Sequence, residues 1–203
     1  MCVKFLLSEL IIMHNDIEHL LKIIGELEKE ICYKFKYKQN LVLALTHSSF
    51  ANENKSEKIG NNERLEFLGD SILNLVISEK IYRDYPELAE GEMTKSRANI
   101  VCESSLMKCS NDLNLGNYIL LGKGEELTGG RSRASILSDA FEALIGAIYI
   151  DGGIKSARGF INRVMKRLVE DSVNGMNYMD YKTQLQEIVQ KKGSHTVSYK
   201  IVE

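Results

Sequence analysis

The segment NERLEFLGDSILNLVI, residues 62–77, combines a long apolar run with three carboxylates. Glu63, Glu66 and Asp70 follow one another at spacings of three and four residues, so on a helix they lie within about 60° of one another. Apolar residues occupy most other directions, which predicts a long helix in the protein interior. Acids in such a place repel one another and are costly to bury, so we expect a positive group to neutralise them.

A second apolar segment, SDAFEALIGAIYI (138–150), has the same combination of features. Asp139 and Glu142 are three residues apart and share one face of the predicted helix. If the two helices pack together, both acid pairs surround one point, and a divalent cation is the simplest neutraliser. An alternative is that each acid is salt-bridged to an arginine and has a structural role. The candidate arginines are Arg64, Arg97 and Arg131.

The ligand type narrows the choice of metal. Oxygen ligands from Asp and Glu suit hard cations, and a site that keeps waters and adds substrate phosphate oxygens suits Mg²⁺ or Mn²⁺. Sites of this kind typically hydrolyse phosphodiesters. A di-metal redox bundle is a further alternative, but such bundles use Glu-x-x-His, and neither acid pair has a histidine three positions on.

Composition favours a mostly helical protein with one domain and a smaller remainder. The chain has 203 residues, 44% of them hydrophobic, with a single proline and no tryptophan. We expect helices over 16–31, 39–50 and 154–170, and one or two over 90–113. The helix that begins near residue 62 should end near Asp84, because Tyr85 precedes Pro86. The segment GKGEELTGGRSR (122–133) is expected to be a Gly-rich basic loop.

Charge and cysteine content bear on partners and location. The 26 Lys and Arg residues nearly balance 28 Asp and Glu residues, so a polyanion would have to be held by local basic patches. Four scattered cysteines without a C-x-x-C pair predict reduced thiols in a cytoplasmic protein. We expect no membrane association, because no stretch is long enough to span a bilayer.

Several blocks of the chain resemble ribonuclease III, the double-stranded-RNA endonuclease. The first is NERLEFLGDSIL within the opening segment, and the others occur in a consistent order around it. They are LALTHSSF (43–50), EGEMTKSRANIV (90–101), LGKGEELTGGR (121–131) and ILSDAFEALIGAIYIDGG (136–153). The resemblance covers about residues 16–170, and residues 181–203 resemble the beginning of a double-stranded-RNA-binding domain.

This resemblance implies an all-α endonuclease domain of the ribonuclease III type, followed by an incomplete α/β RNA-binding domain. The implied organisation is an N-terminal extension (1–15), the endonuclease domain (16–170), a linker (171–180) and the truncated second domain (181–203). It further implies a symmetric homodimer that cuts both strands of double-stranded RNA in rRNA and other RNA processing. The implied products carry 5′-phosphate and 3′-hydroxyl ends with short 3′ overhangs.

The resemblance also assigns roles to individual acids. Glu66, Asp139 and Glu142 match the metal ligands, with Mg²⁺ as the cofactor and Mn²⁺ as a substitute. Asp70 matches the acid that orients the catalytic water, and Asp70 and Glu142 form the catalytic pair. A non-catalytic RNA-binding regulator with the same fold is an alternative, although all four acids are intact.

Other residues are assigned to interfaces. Glu63 and Glu90 match accessory acids near the dimer interface, and Phe67 matches an aromatic residue that fills a pocket of the partner. Basic residues in or near loops are candidates for phosphate contact, namely Arg97, Lys123, Arg131 and Arg133. In the second domain the matching RNA-contact positions are Thr183, Gln186 and Glu187.

Two residues of these blocks have roles that follow from physical reasoning. Gly69 is costly in a helix interior, so another backbone should approach it closely. His47 has the appearance of a general base, but we expect it to be a capping or core residue.

Overall fold

The computed structural model describes residues 17, 19–55, 59–173 and 189, and its secondary structure is helical. We label the helices α1 to α9 in chain order. They are α1 (19–30), α2 (Lys38–Ala44), α3 (Ser48–Glu53), α4 (Glu63–Asp84), α5 (Glu90–Ile100), α6 (Glu103–Asp112), α7 (Lys123–Leu127), α8 (Ala134–Val164) and α9 (Lys166–Val173). Within this described part, extended pairing is limited to one bridge between Thr46 and Leu120. The predicted all-α class is therefore confirmed for the described part of residues 16–170.

The helix boundaries agree with the sequence at some ends and differ at others. α4 ends at Asp84, directly before Tyr85, as the following proline predicts. Asn62 occupies the cap position of α4, but its side chain makes no capping hydrogen bond. The segment 122–133 was predicted to be a loop, and this is wrong for its first half, which forms α7.

The second apolar helix is longer than its sequence pattern indicates. α8 begins at Ala134, four residues before the segment 138–150, and continues to Val164. Within this range Gly153 adopts a left-handed conformation, with φ 74°, and bends the chain between two helical stretches.

Two glycines allow α4 and α8 to cross in backbone contact. A Cβ atom at Gly69 would overlap the carbonyl oxygen of Glu142, and one at Gly146 would overlap the carbonyl oxygen of Leu65. This confirms the close approach predicted for Gly69. Because Glu66 and Asp70 lie on either side of that glycine and Glu142 is at the contact, the crossing also brings the two acid pairs together.

α8 is the central helix of the core, whereas α4 is buried on one side. Between Ile136 and Ile148 most side chains of α8 are buried. α4 buries residues such as Leu73 and Ile77 but leaves Phe67 77% exposed. The expectation that α4 is enclosed on nearly all sides is therefore wrong. Four exposed residues of α4 lie on one stripe at helical spacing, Phe67, Ser71, Leu75 and Tyr82.

Two further expectations concern regions at the ends of the chain. In the part of the chain that the structure describes, no helix is both long and apolar enough to cross a bilayer. The predicted N-terminal extension (1–15), most of the linker (171–180) and nearly all of the truncated second domain lie outside the described residues. Their assignment stays a prediction.

The helix crossing can be tested with Gly69→Ala. The added methyl group overlaps backbone that cannot move independently, so we expect a loss of about 3 kcal/mol or more in the free energy of unfolding. The matched control is Gly159→Ala in the second stretch of α8, where a Cβ meets nothing within 4 Å. It should stabilise the protein by up to about 1 kcal/mol. Urea unfolding measures both, and equal effects of the two substitutions would contradict the crossing.

Candidate metal centre

Three of the predicted ligands form a compact carboxylate cluster where α4 and α8 cross. Glu66, Asp139 and Glu142 each offer an oxygen, and these three oxygens lie within 4.8 Å of one another. All three residues are partly buried. Glu66 comes from the first turns of α4, and the other two come from adjacent turns of α8. Three of the four acids that the spacing predicted to surround one point are therefore brought together.

Asp70 lies at the exposed edge of this cluster. Its negative charge is one of the causes that raise the pKa of Glu142. Its Oδ1 accepts a hydrogen bond of 2.7 Å from Nδ2 of Asn74, one turn further along α4. The same amide nitrogen also donates to the Asp70 carbonyl oxygen at 3.0 Å. Asn74 thus fixes the orientation of the Asp70 carboxylate and leaves its Oδ2 available.

The electrostatics of the cluster show uncompensated negative charge. Burial and the charges of Asp70, Glu66 and Asp139 together raise the pKa of Glu142 from 4.5 to about 8. Burial, followed by the charges of Asp139, Glu63 and Asp70, also raises the pKa of Glu66. The pKa of Asp139 is raised mainly by burial, although the Ser138 hydroxyl and His47 oppose the change.

Within the described residues, no arginine or lysine forms a salt bridge with Glu66, Asp139 or Glu142. Arg131 instead pairs with Glu126 at 2.7 Å and donates to the carbonyl oxygens of Gly116 and Ile119. The alternative of individually salt-bridged acids therefore fails. A set of oxygen donors with excess negative charge and without a protein cation fits a hard divalent metal ion.

The remaining predicted phosphate contacts have different surroundings. Arg97 donates to the Ser78 hydroxyl at 3.0 Å and lines a groove between α4 and α5. Lys123 is exposed at the first turn of α7. Arg133 is held by Glu125 at 2.6 Å. Of these three cations, only Lys123 lacks a side-chain partner within the described part of the chain. RNA contact by any of them stays a prediction.

The predicted interface residues lie on the exposed side of α4 and at the start of α5. Glu63 is exposed, and its charge contributes to the raised pKa of Glu66. Glu90 is exposed, accepts a hydrogen bond of 3.0 Å from the Thr94 hydroxyl and lines the same groove as Arg97. Phe67 projects from α4 next to Glu66. The proposed RNA contacts of the second domain, Thr183, Gln186 and Glu187, lie outside the described residues.

His47 caps α3, as predicted, and does not resemble a general base. Its Nδ1 accepts the backbone N–H of Ser49 at 3.2 Å and lies 2.8 Å from the Ser49 hydroxyl. That hydroxyl oxygen accepts the N–H of Gly122 at 2.9 Å, which attaches the segment before α7 to α3. The backbone N–H of Asn62 donates to Thr46 at 2.9 Å, so one short segment supports both α4 and α7.

Sequence reasoning missed two residues that act on the acids. The contact of Asn74 with Asp70 could have been predicted from the sequence, since Asn74 lies four residues after Asp70 on the same helix face. The effect of His47 on the pKa of Asp139 could not have been predicted in this way, because the two residues are 92 positions apart and come together through tertiary packing.

Comparison with known proteins identifies the family. A family model described as Ribonuclease-III-like matches residues 38–168. The chain belongs to the ribonuclease III family. It is 51% identical to Ribonuclease 3 of Caldanaerobacter subterraneus over 177 residues, covering 87% of this chain and 77% of that protein. It is 49% identical to Ribonuclease 3 of Clostridium perfringens, covering 88% of this chain and 74% of that protein.

Solved structures of this family support the same relationship. The nuclease domain of ribonuclease III from Campylobacter jejuni superposes with a TM-score of 0.66 at 45% identity. The match covers 71% of this chain and 96% of that domain, and that structure is described as having flexibility in a region involved in dimer formation. The ribonuclease III fold therefore spans the helices that carry the acid cluster.

The raised pKa of Glu142 predicts an unusual pH dependence for the metal-free protein. The pKa of Glu142 is higher in the folded protein than in the unfolded chain. The contribution of this carboxyl to the free energy of unfolding is therefore fully present below pH 4.5 and is lost as the pH rises through about 8. In EDTA, the melting temperature should therefore fall over this range, and Mg²⁺ should restore it most at the upper end. Glu142→Gln should flatten the decline, whereas Glu87→Gln, at an exposed site, should not. A melting temperature that rises with pH in EDTA would contradict the clustered geometry.

Proposed function

We propose that this protein is an endoribonuclease that hydrolyses phosphodiester bonds in double-stranded RNA. The proposed products carry 5′-phosphate and 3′-hydroxyl ends with short 3′ overhangs, and the proposed role is the processing of rRNA and other RNAs. Membership of the ribonuclease III family supports the nuclease activity. The observation that carries the proposal is the convergence of three unpaired carboxylates, with Asp70 beside them, at the crossing of α4 and α8.

The proposed cofactor is Mg²⁺, for which Mn²⁺ substitutes. Glu66, Asp139 and Glu142 would hold it, because their oxygens converge and their charges lack a protein cation. When bound, such a cation lowers the pKa of water and stabilises the leaving oxygen of the phosphodiester. The proximity of its positive charge would also keep Glu142 ionised at neutral pH, despite the raised pKa of this residue in the free protein.

Asp70 is proposed to orient the attacking water. Asn74 occupies Oδ1, so Oδ2 is the atom that accepts the hydrogen bond from the water. In the hydrolysis, the water oxygen forms a bond to phosphorus while the bond from phosphorus to the 3′ oxygen breaks. The 3′ oxygen leaves as the hydroxyl of one product, and the phosphate remains on the 5′ end of the other.

RNA contacts are proposed for Lys123 and Arg97. Lys123 is exposed, and its backbone N–H donates to Glu53 at 3.0 Å, which holds the start of α7 in place. Arg131, whose guanidinium is engaged by Glu126 and two carbonyl groups, would contact phosphate only with the part of the side chain that remains accessible. Residues 181–203 are proposed to contribute the first helix and strand of an RNA-binding domain.

A homodimer is proposed on the basis of the exposed side of α4. Phe67 is 77% exposed, and Leu75 and Tyr82 continue the same stripe with 57% and 72% exposure. Beside them, α4 and α5 enclose a groove of about 370 Å³ lined by residues such as Met93. Contiguous apolar surface of this kind marks protein interfaces. A second copy of the chain is the proposed partner, with Phe67 inserted into it.

Light scattering coupled to gel filtration tests the dimer with Phe67→Glu. A charge at the centre of the proposed interface should convert the dimer to a monomer, because a buried unpaired charge is costly. Leu127→Glu is the control, since Leu127 is 88% exposed on α7 and lies outside the stripe. A dimer that survives Phe67→Glu, or that Leu127→Glu also breaks, would exclude this interface.

Two other functions are less well supported. A non-catalytic RNA-binding regulator has no need of the convergent carboxylates, and all four acids are retained. A di-metal redox bundle needs histidine ligands, and the acid cluster in the described residues contains none.

The proposed location is the bacterial cytoplasm, which agrees with the free thiols of Cys32, Cys102 and Cys109.

Long duplex RNA incubated with Mg²⁺ tests the activity. The wild-type protein should produce short duplexes with 5′-phosphate ends, and EDTA should stop the reaction. Glu142→Gln retains the shape but loses the charge, so it should reduce cleavage to background while duplex RNA still binds. Glu87→Gln is the control and should cleave normally. Cleavage that persists in Glu142→Gln, or no cleavage by the wild type, would refute the proposal.

A further inference from the structure

The loop between α1 and α2 has exposed lysines on a rigid base. Lys34 and Lys36 are exposed, whereas Phe35 between them is buried and Tyr33 is partly buried. This is the alternation of an extended chain, in which successive side chains face opposite sides. Lys38, at the first position of α2, is also exposed. Salt bridges among the described residues involve other cations, so these three lysines lack an acidic partner there.

A buried acid holds the backbone beneath these lysines. Asp151, which is 7% exposed, accepts the N–H groups of Lys36 and Tyr37 at 2.9 Å each and the Tyr33 hydroxyl at 2.7 Å. Glu28 accepts the N–H of Phe35 at 2.9 Å. The hydrogen bonds to Asp151 hold the pKa of its carboxyl below the usual range, against the effect of burial. The loop is thus ordered before any ligand binds, which lowers the entropic cost of binding.

The exposed face of this loop also carries an aromatic ring. Tyr37 lies between Lys36 and Lys38 and is 65% exposed. An aromatic ring among cations is typical of surfaces that bind nucleic acid, because the cations contact phosphates and the ring stacks on a base or sugar. Lys34 and Lys36 occupy alternate positions of the extended stretch before α2, where such residues are about 6.6 Å apart, so both can reach the same phosphate backbone.

This surface is separate from the carboxylate cluster. Asp151 follows Glu142 by nine residues on α8, which corresponds to about 13 Å along the helix. At 100° per residue, Asp151 lies on the opposite side of α8 from Glu142. The lysines therefore do not contact the phosphodiester that is cleaved.

We propose that Lys34, Lys36, Lys38 and Tyr37 form a second RNA-binding surface, which contacts the phosphate backbone of a stretch of RNA separate from the one at the carboxylates. This inference rests on the proposed action on RNA and extends it to long, structured substrates. The surface raises the affinity for RNA that reaches both sites and contributes nothing for a short duplex that occupies the carboxylate site alone.

Charge and geometry favour RNA over other polyanions. An anionic membrane surface is usually bound by four to eight clustered basic residues, and this loop supplies three. Acidic protein segments match arginine better than lysine, because carboxylates form paired hydrogen bonds with guanidinium groups. Lysines beside an exposed aromatic ring suit a phosphate backbone with stacking bases.

The test compares two triple variants with the same change in net charge, both made in the Glu142→Gln background to keep the RNA intact. The loop variant is Lys34→Ala/Lys36→Ala/Lys38→Ala, and the scattered control is Lys22→Ala/Lys108→Ala/Lys166→Ala. Fluorescence anisotropy gives the Kd of a long structured RNA and of a short duplex over a series of KCl concentrations. Circular dichroism confirms that both variants are folded.

The loop variant should bind the long RNA about tenfold more weakly, and the slope of log K against log salt should fall in magnitude by about two to three. The scattered control should change neither quantity to this extent, and the short duplex should bind both variants equally. Tyr37→Ala should weaken binding of the long RNA, and Tyr37→Phe, which keeps the ring, should restore it.

Equal losses from the two triple variants would show a net-charge effect and overturn the proposal. So would a loop variant that binds RNA normally but loses binding to phosphatidylserine vesicles or to a poly-glutamate peptide. Failure of the proposed function is a separate result, since it appears as absence of duplex cleavage by the wild-type protein. A wild type that cleaves RNA, combined with a loop variant of unchanged Kd, overturns this inference alone.

Discussion

The structure depends on the contact between the backbones of α4 and α8 at Gly69 and Gly146. Neither glycine leaves room for a methyl group, since each faces a carbonyl oxygen of the opposite helix. The short separation of the helices brings together Glu66 of α4 and two residues from adjacent turns of α8, Asp139 and Glu142. One carboxylate oxygen of each lies within 4.8 Å of the others. Two ordinary helices at the usual separation of 8–10 Å would hold these carboxylates further apart. The glycines therefore determine the chemistry as well as the packing.

The cluster opposes folding electrostatically. Burial, together with neighbouring negative charges, raises the pKa of Glu142 to about 8 and also raises the pKa of Glu66. The hydrophobic core around α8 compensates for this cost, because it buries most of that helix between Ile136 and Ile148. A divalent cation at the proposed site would remove this repulsion, and the free energy gained would contribute to the affinity for the metal. Groups held in this way are typical of active sites rather than of structural ion pairs.

Local patterns in the sequence predict the long helices and the acid pairs, because helical periodicity and i,i+3 or i,i+4 spacing are properties of neighbouring residues. They predict the end of α4 before Pro86 and the close approach at Gly69. They do not predict α7, whose glutamates are matched by Arg131 and Arg133, nor the exposure of one side of α4. They also miss the influence of His47 on the pKa of Asp139, and the hydrogen bonds by which Asp151 holds the loop between α1 and α2. These features depend on contacts between residues far apart in sequence, which periodicity does not encode.

The most direct measurement is the anomalous difference density of a crystal soaked in Mn²⁺. The account predicts a peak bounded by the carboxylates of Glu66, Asp139 and Glu142, with each contributing an oxygen at ligand distance. It also predicts that the peak disappears in Glu142→Gln crystals. Carboxylates that lie apart and pair with separate arginines, without a manganese peak between them, would contradict the account.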